Sequence, residues 1–111
     1  MNNVTLKVLI NGELVGHMFD EEFDQPSFRA SFLPKRSFDE YAPLFTKNIR
    51  AVAEYNIDEL NRVSQEIDKL RISMESEGGQ LHYSSDPSLR PFKRITAVRI
   101  RGREICFRPL D

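Results

Sequence analysis

The chain reads as a single α+β domain, 1–111. The expected fold is a largely antiparallel sheet with two helices, about 43–54 and 57–71, packed on one face, in the order β-β-β-α-α-β-β-β-β. Three observations predict it. The first third alternates apolar and polar residues at a period of two, the spacing of strands. The middle repeats its apolar residues at three and four, the spacing of helices, and the end returns to period two. Asn11-Gly12, Pro26, Pro34, Gly78-Gly79 and Gly102 punctuate the changes.

Val4, Leu6, Val8 and Ile10 form one apolar strand face, and Asn11-Gly12 follows at once. Both residue types tolerate positive φ, as a two-residue type I′ turn requires, so 4–19 is expected to be a hairpin. Gly16 in its second strand marks a bulge or a close backbone approach. Asp20 to Gln25, closed by Pro26, reads as an acidic loop. A third strand, 27–33, turns Phe28, Ala30 and Phe32 one way and Arg29 and Ser31 the other.

Ser37-Phe38-Asp39-Glu40 has the capping-box pattern. Pro43 leaves two readings, one helix kinked there or a single turn at 38–42 leading into a helix that starts at Pro43; the second is favoured, because Pro suits a first helical position. Leu44, Phe45, Ile49, Val52 and Ala53 would be its inward stripe. Asn56 caps a second helix, with Asp58 and Glu59 at its positive end. Ile57, Leu60, Val63, Ile67 and Leu70 mark its buried face. Strands are then expected at 72–74, 81–84, 95–100 and 104–108, with 85–92 a loop and Arg101-Gly102 the last turn.

The composition bounds the function. With 111 residues, 40% of them hydrophobic and eight of them Phe, the chain can bury a core without disulfides. The net charge of −1 gives no general pull toward nucleic acid. The distribution is uneven, because seven of the 16 Lys and Arg residues fall between Arg90 and Arg108. Cys106 is the one cysteine, which fits a reducing compartment, and no stretch approaches the roughly 20 apolar residues of a membrane span. The start of the chain lacks a secretion signal, so a soluble cytoplasmic protein is expected.

Two segments carry a resemblance. One is Phe32-Leu33-Pro34 running into Phe38-Asp39-Glu40-Tyr41-Ala42-Pro43-Leu44-Phe45; the other is Ile100-Arg101-Gly102-Arg103-Glu104-Ile105-Cys106-Phe107-Arg108. Together they resemble small bacterial proteins of similar length that carry no assigned activity. The resemblance implies a bacterial origin and no functional residues.

Motifs for catalysis are missing. His17 and His82 could hold a metal only with Asp20 or Glu22, and no two histidines sit at ligand spacing. Cys106 has no Gly-rich elbow or helix N-terminus beside it to stabilise a thiolate. The five glycines form no phosphate-binding loop, and the acidic run lacks the order of a calcium loop. No cofactor, metal or catalytic residue is therefore expected.

Two charged features stand out: a candidate binding surface of Arg90, Lys93, Arg94, Arg99, Arg101 and Arg103, and a candidate acidic patch of Asp20, Glu21, Glu22 and Asp24. Opposed patches steer specific association, so the first expectation is a non-catalytic protein-binding domain of an inhibitor or immunity type, or one that binds a second copy of itself. The second is a nucleic-acid-binding module using the 90–108 surface, with Phe92 or Phe107 stacking on bases. The third is a small hydrolase or ligand-binding domain with a pocket lined by Phe28, Phe32, Tyr41 and Phe45. No membrane partner is expected.

Overall fold

A computed structural model describes residues 5–110. In chain order the elements are β1 (Leu6–Ile10), β2 (Glu13–Asp24), β3 (Ser27–Pro34), a 3-10 turn (Arg36–Glu40), α1 (Ala42–Ala53), α2 (Ile57–Asp68), β4 (Ile72–Glu75), β5 (Leu81–Ser84), β6 (Lys93–Arg101) and β7 (Glu104–Pro109). The strands close into a barrel in the order β1-β2-β3-β7-β6-β5-β4, with β4 returning to β1.

This corrects the expected open sheet with both helices on one face. Six pairings are antiparallel, while β5 and β6 run parallel at Tyr83↔Lys93 and Ser84↔Arg94. The loop 85–92 carries the chain back to begin β6 beside β5. α1 and α2 then pack against β6 beyond the stretch that β5 pairs. Closure escaped the sequence reading because period-two patterning shows which face of a strand is buried, and an open sheet and a barrel bury the same face.

The hairpin forms as expected. Asn11 and Gly12 have φ of 52° and 83°, and Leu9 pairs with Leu14. Its expected start at Val4 lies outside the described residues. Gly16 serves close approach: a Cβ there would lie 2.6 Å from the Leu33 carbonyl oxygen and 2.7 Å from the Phe32 ring.

The acidic run is strand rather than loop. β2 continues through Asp24, because Phe23 pairs with Phe28, their tilted rings 5.0 Å apart, and Glu22 pairs with Arg29. Charge density suggested a loop, but alternation with Phe23 and the partner strand held the segment extended.

Val8, Ile10, Val15, Met18, Phe32, Met74, Ile95, Ile105 and Phe107 fill the barrel. Phe32 meets Phe38 at 5.2 Å, and Phe38 meets Phe45 at 5.8 Å, so a chain of rings ties the barrel to α1. Phe28 and Tyr41 pack against this core, while Phe32 and Phe45 lie within it. Phe107 is fully buried and offers no stacking surface.

α1 begins beside Pro43, as the sequence suggested, but no capping box forms. Ser37 falls inside the 3-10 turn, and its hydroxyl donates to the Leu14 carbonyl at 2.6 Å. The buried stripe of α1 is Phe45, Asn48 and Ala51. Ile49 and Val52 are half-buried and Ala53 is exposed, a correction to the expected stripe. Asn56 does cap α2, its side chain accepting from the Glu59 N–H at 3.1 Å. Among the described residues no helix is long and apolar enough to cross a membrane.

Candidate functional site

The outer wall of β3, β7 and β6 gathers charged residues in cross-strand rows. Arg29 pairs with Cys106, and Cys106 pairs with Arg99, so the thiol lies between two arginines. In the next row Ser31 pairs with Glu104, and Glu104 with Arg101.

Two β-bulges set these rows. In β6 the register moves from Thr96↔Arg108 to Arg99↔Cys106, three residues against two, with Ala97 at φ 54°. The extra residue sends Val98 inward and Arg99 outward; an unbroken ladder would place Val98 opposite Cys106. In β2 the register moves from Phe19↔Ser31 to Glu22↔Arg29, with Asp20 at φ 54°. That bulge brings Glu22 across from Arg29. Bulges re-aim side chains in this way at functional surfaces.

The wall holds a cleft. A cavity of about 490 Å³ is lined by the 24–27 turn and by Arg29, Ala97, Arg99, Glu104, Cys106 and Arg108. A second, of about 320 Å³, has Ile49, Val52 and Ala53 of α1 as one side and Arg99, Arg101, Glu104 and Cys106 as the other. They adjoin at Arg99, Glu104 and Cys106. A third, of about 220 Å³, joins Arg103 to Asp20, Glu22, Arg29 and Glu104.

Among the described residues Arg29 is the most heavily paired cation. It bonds to Asp24, and lies 4.0 Å from both Glu22 and Glu104. Among the described residues Arg99, Arg101, Arg103 and Arg108 form no ion pair. The Cys106 Sγ lies 3.7 Å from Glu104 Oε1, and burial, followed by the Glu104 charge, pushes the thiol above its ordinary value. Arg29 and Arg99 oppose that shift without reversing it, so the thiol is protonated at neutral pH and poorly suited to nucleophilic attack.

The structure divides the sequence-predicted basic surface. Arg99 and Arg101 lie in the cleft, and Arg103 in the adjoining cavity. Lys93 sits over the Phe28 ring at 5.5 Å. Arg94 donates to the carbonyls of Pro87 and Leu89, holding the loop that contains exposed Arg90. Two cleft residues were missed from that surface, Arg29 and Arg108. The outward direction of Arg29 is visible in the alternation of β3, but its neighbours depend on β3 pairing with β7.

The acidic residues also divide. Glu21 accepts the Tyr83 hydroxyl at 2.8 Å; burial, then this bond, holds that phenol well above the tyrosine range. Glu22 and Asp24 engage Arg29, and Asp20 lines the cavity with Arg103. His17 faces Glu77 at 3.7 Å, and among the described residues no three His, Cys, Asp or Glu side chains are grouped to hold a metal ion. Comparison of the chain with protein-family models, with curated proteins and with solved structures finds no match.

Proposed function

We propose that this chain is a non-catalytic protein-binding domain whose contact surface is the outer wall of β3, β7 and β6. The observation that carries the reading is the interleaving of charge: Asp24 and Glu104 stand among Arg29, Arg99 and Arg108 within one cleft. Such a surface suits a partner with its own pattern of charged and apolar side chains. It suits a nucleic acid poorly, because fixed carboxylates repel a continuous phosphate backbone. The protonated Cys106 thiol supports binding over covalent chemistry. A cytoplasmic location belongs to the same reading, on the strength of a lone cysteine.

A photo-crosslinking residue placed at Ala53, on the exposed rim of the cleft, tests the proposal in cells that carry the chain. The expected result is a discrete protein adduct, of twice the chain mass if the partner is a second copy. A nuclease-sensitive adduct, with sub-micromolar DNA or RNA binding that falls steeply with salt, would put the nucleic-acid module first.

A further inference from the structure

We infer that the cleft between α1 and the barrel wall receives a partner segment that is both acidic and apolar. Its carboxylates would meet Arg99 and Arg101, and its apolar side chains would pack on Ile49 and Val52. This inference rests on the protein-binding reading and gives that partner its chemistry.

Four observations carry it. First, the two sides of the cleft differ in kind: α1 contributes Ile49, Val52 and Ala53, and the sheet contributes Arg99, Arg101, Cys106 and Glu104, whose carboxylate lies 4.0 Å from Arg29. Second, charge is unevenly committed. The carboxylates of Glu22, Asp24 and Glu104 all lie within 4.0 Å of Arg29, which leaves Arg99 and Arg101 without an ion pair among the described residues. In the cavity beside α1, those two guanidiniums are the cations available to an incoming carboxylate.

Third, the site is continuous and open. The cavities of about 490 and 320 Å³ meet at Arg99, whose side chain is exposed. Small-molecule pockets enclose most of their ligand, whereas an open trough with exposed cations suits a stretch of polypeptide. Fourth, β7 is the central strand of this wall, paired with β3 on one edge and β6 on the other. Strand addition at β7 is closed off, so a partner on its face docks through side chains.

Panning a phage-displayed library of random peptides on the folded protein tests the inference, followed by fluorescence anisotropy with the enriched peptides. Enriched sequences should combine Asp or Glu with apolar residues. Their affinity should fall roughly tenfold or more in the Arg99→Gln/Arg101→Gln variant. Ala53→Glu, on an exposed position, should weaken binding through like charge, and Ala53→Lys should not. That dependence on sign separates recognition from a change in folding.

Enriched peptides without acidic residues, or peptides indifferent to these substitutions, would overturn the cleft inference while leaving protein binding standing at another face. Failure to enrich any peptide would also count against it. Failure to enrich combined with salt-sensitive binding of a single-stranded DNA oligonucleotide, lost in Arg99→Gln/Arg101→Gln, would sink this inference and the protein-binding reading together.

Discussion

Gly16 shows how a single missing carbon positions a strand. Its backbone lies so near the Leu33 carbonyl and the Phe32 ring that a Cβ would meet both well inside contact distance. Phe32 is fully buried and cannot step aside into solvent. Gly16→Ala should therefore destabilise the protein by about 1–3 kcal/mol, the usual cost of overpacking, measured by urea unfolding. A loss below about 0.5 kcal/mol would mean that β2 and β3 separate there at little cost. The sequence raised close approach at Gly16, but the atoms being approached come from β3.

Asp86 is a second residue with a single clear role. Its Oδ1 accepts from the Ser88 N–H at 2.9 Å and from the Ser88 hydroxyl at 2.8 Å. These bonds, with Arg71 and Arg94 nearby, hold the carboxyl below its ordinary value of 3.8 against the opposing effect of burial. The depressed value fixes the sign. The stabilisation is fully present above pH 3.8 and is lost as pH falls through the lower, folded value. Asp86→Asn should flatten this part of the acid limb, seen as a smaller drop in urea midpoint between neutral and strongly acidic pH. An unchanged acid limb would place the pH dependence in other carboxylates.

At the scale of elements, α2 separates pattern from depth. Val63 and Ile67 are buried, Leu60 and Leu70 are half-buried, and Ile57 is 61% exposed. Period alone marks all five as one face. α2 packs chiefly on α1 and meets the barrel mainly through β6, so the ends of that face are less covered than its middle. Ile67→Ala should cost about 2–5 kcal/mol, the range for a buried aliphatic side chain, and Leu60→Ala clearly less. Equal losses in thermal or urea unfolding would contradict this gradient. α1 gives the same lesson in rotation: Asn48, a polar residue, is buried, while Ile49 and Val52 turn toward the cleft. Reading hydrophobicity as burial misplaced that helix by part of a turn, and the apolar surface left over forms one side of the candidate site.

Over the whole molecule, closure organises both stability and charge. With Phe32, Phe107 and their neighbours inside the barrel, the outer arginines contribute little to the core. Arg99, Arg101 and Arg103 have no ion pair among the described residues, and all three are exposed. Replacing all three by Gln should shift unfolding free energy by no more than about 0.5 kcal/mol per site. A larger loss in urea unfolding would make the cluster part of the scaffold.

The sequence by itself determined most element positions, the type of the Asn11-Gly12 turn, the cap at Asn56 and the inward residues of most strands. These depend on residues close along the chain, whose φ preferences and spacing act locally. It also held an unread sign of the β6 bulge: Ile95 and Val98, both buried, are three apart in a strand whose ordinary period is two. Only the tertiary structure decided that β3 pairs with β7 and β4 with β1, and that Arg29 therefore stands in one row with Cys106 and Arg99. Alternation tells a strand which way to face and leaves its neighbour open. The neighbour is chosen by the closing of the barrel, where distant segments bury their apolar faces together, and the charged outer wall takes its pattern from that choice.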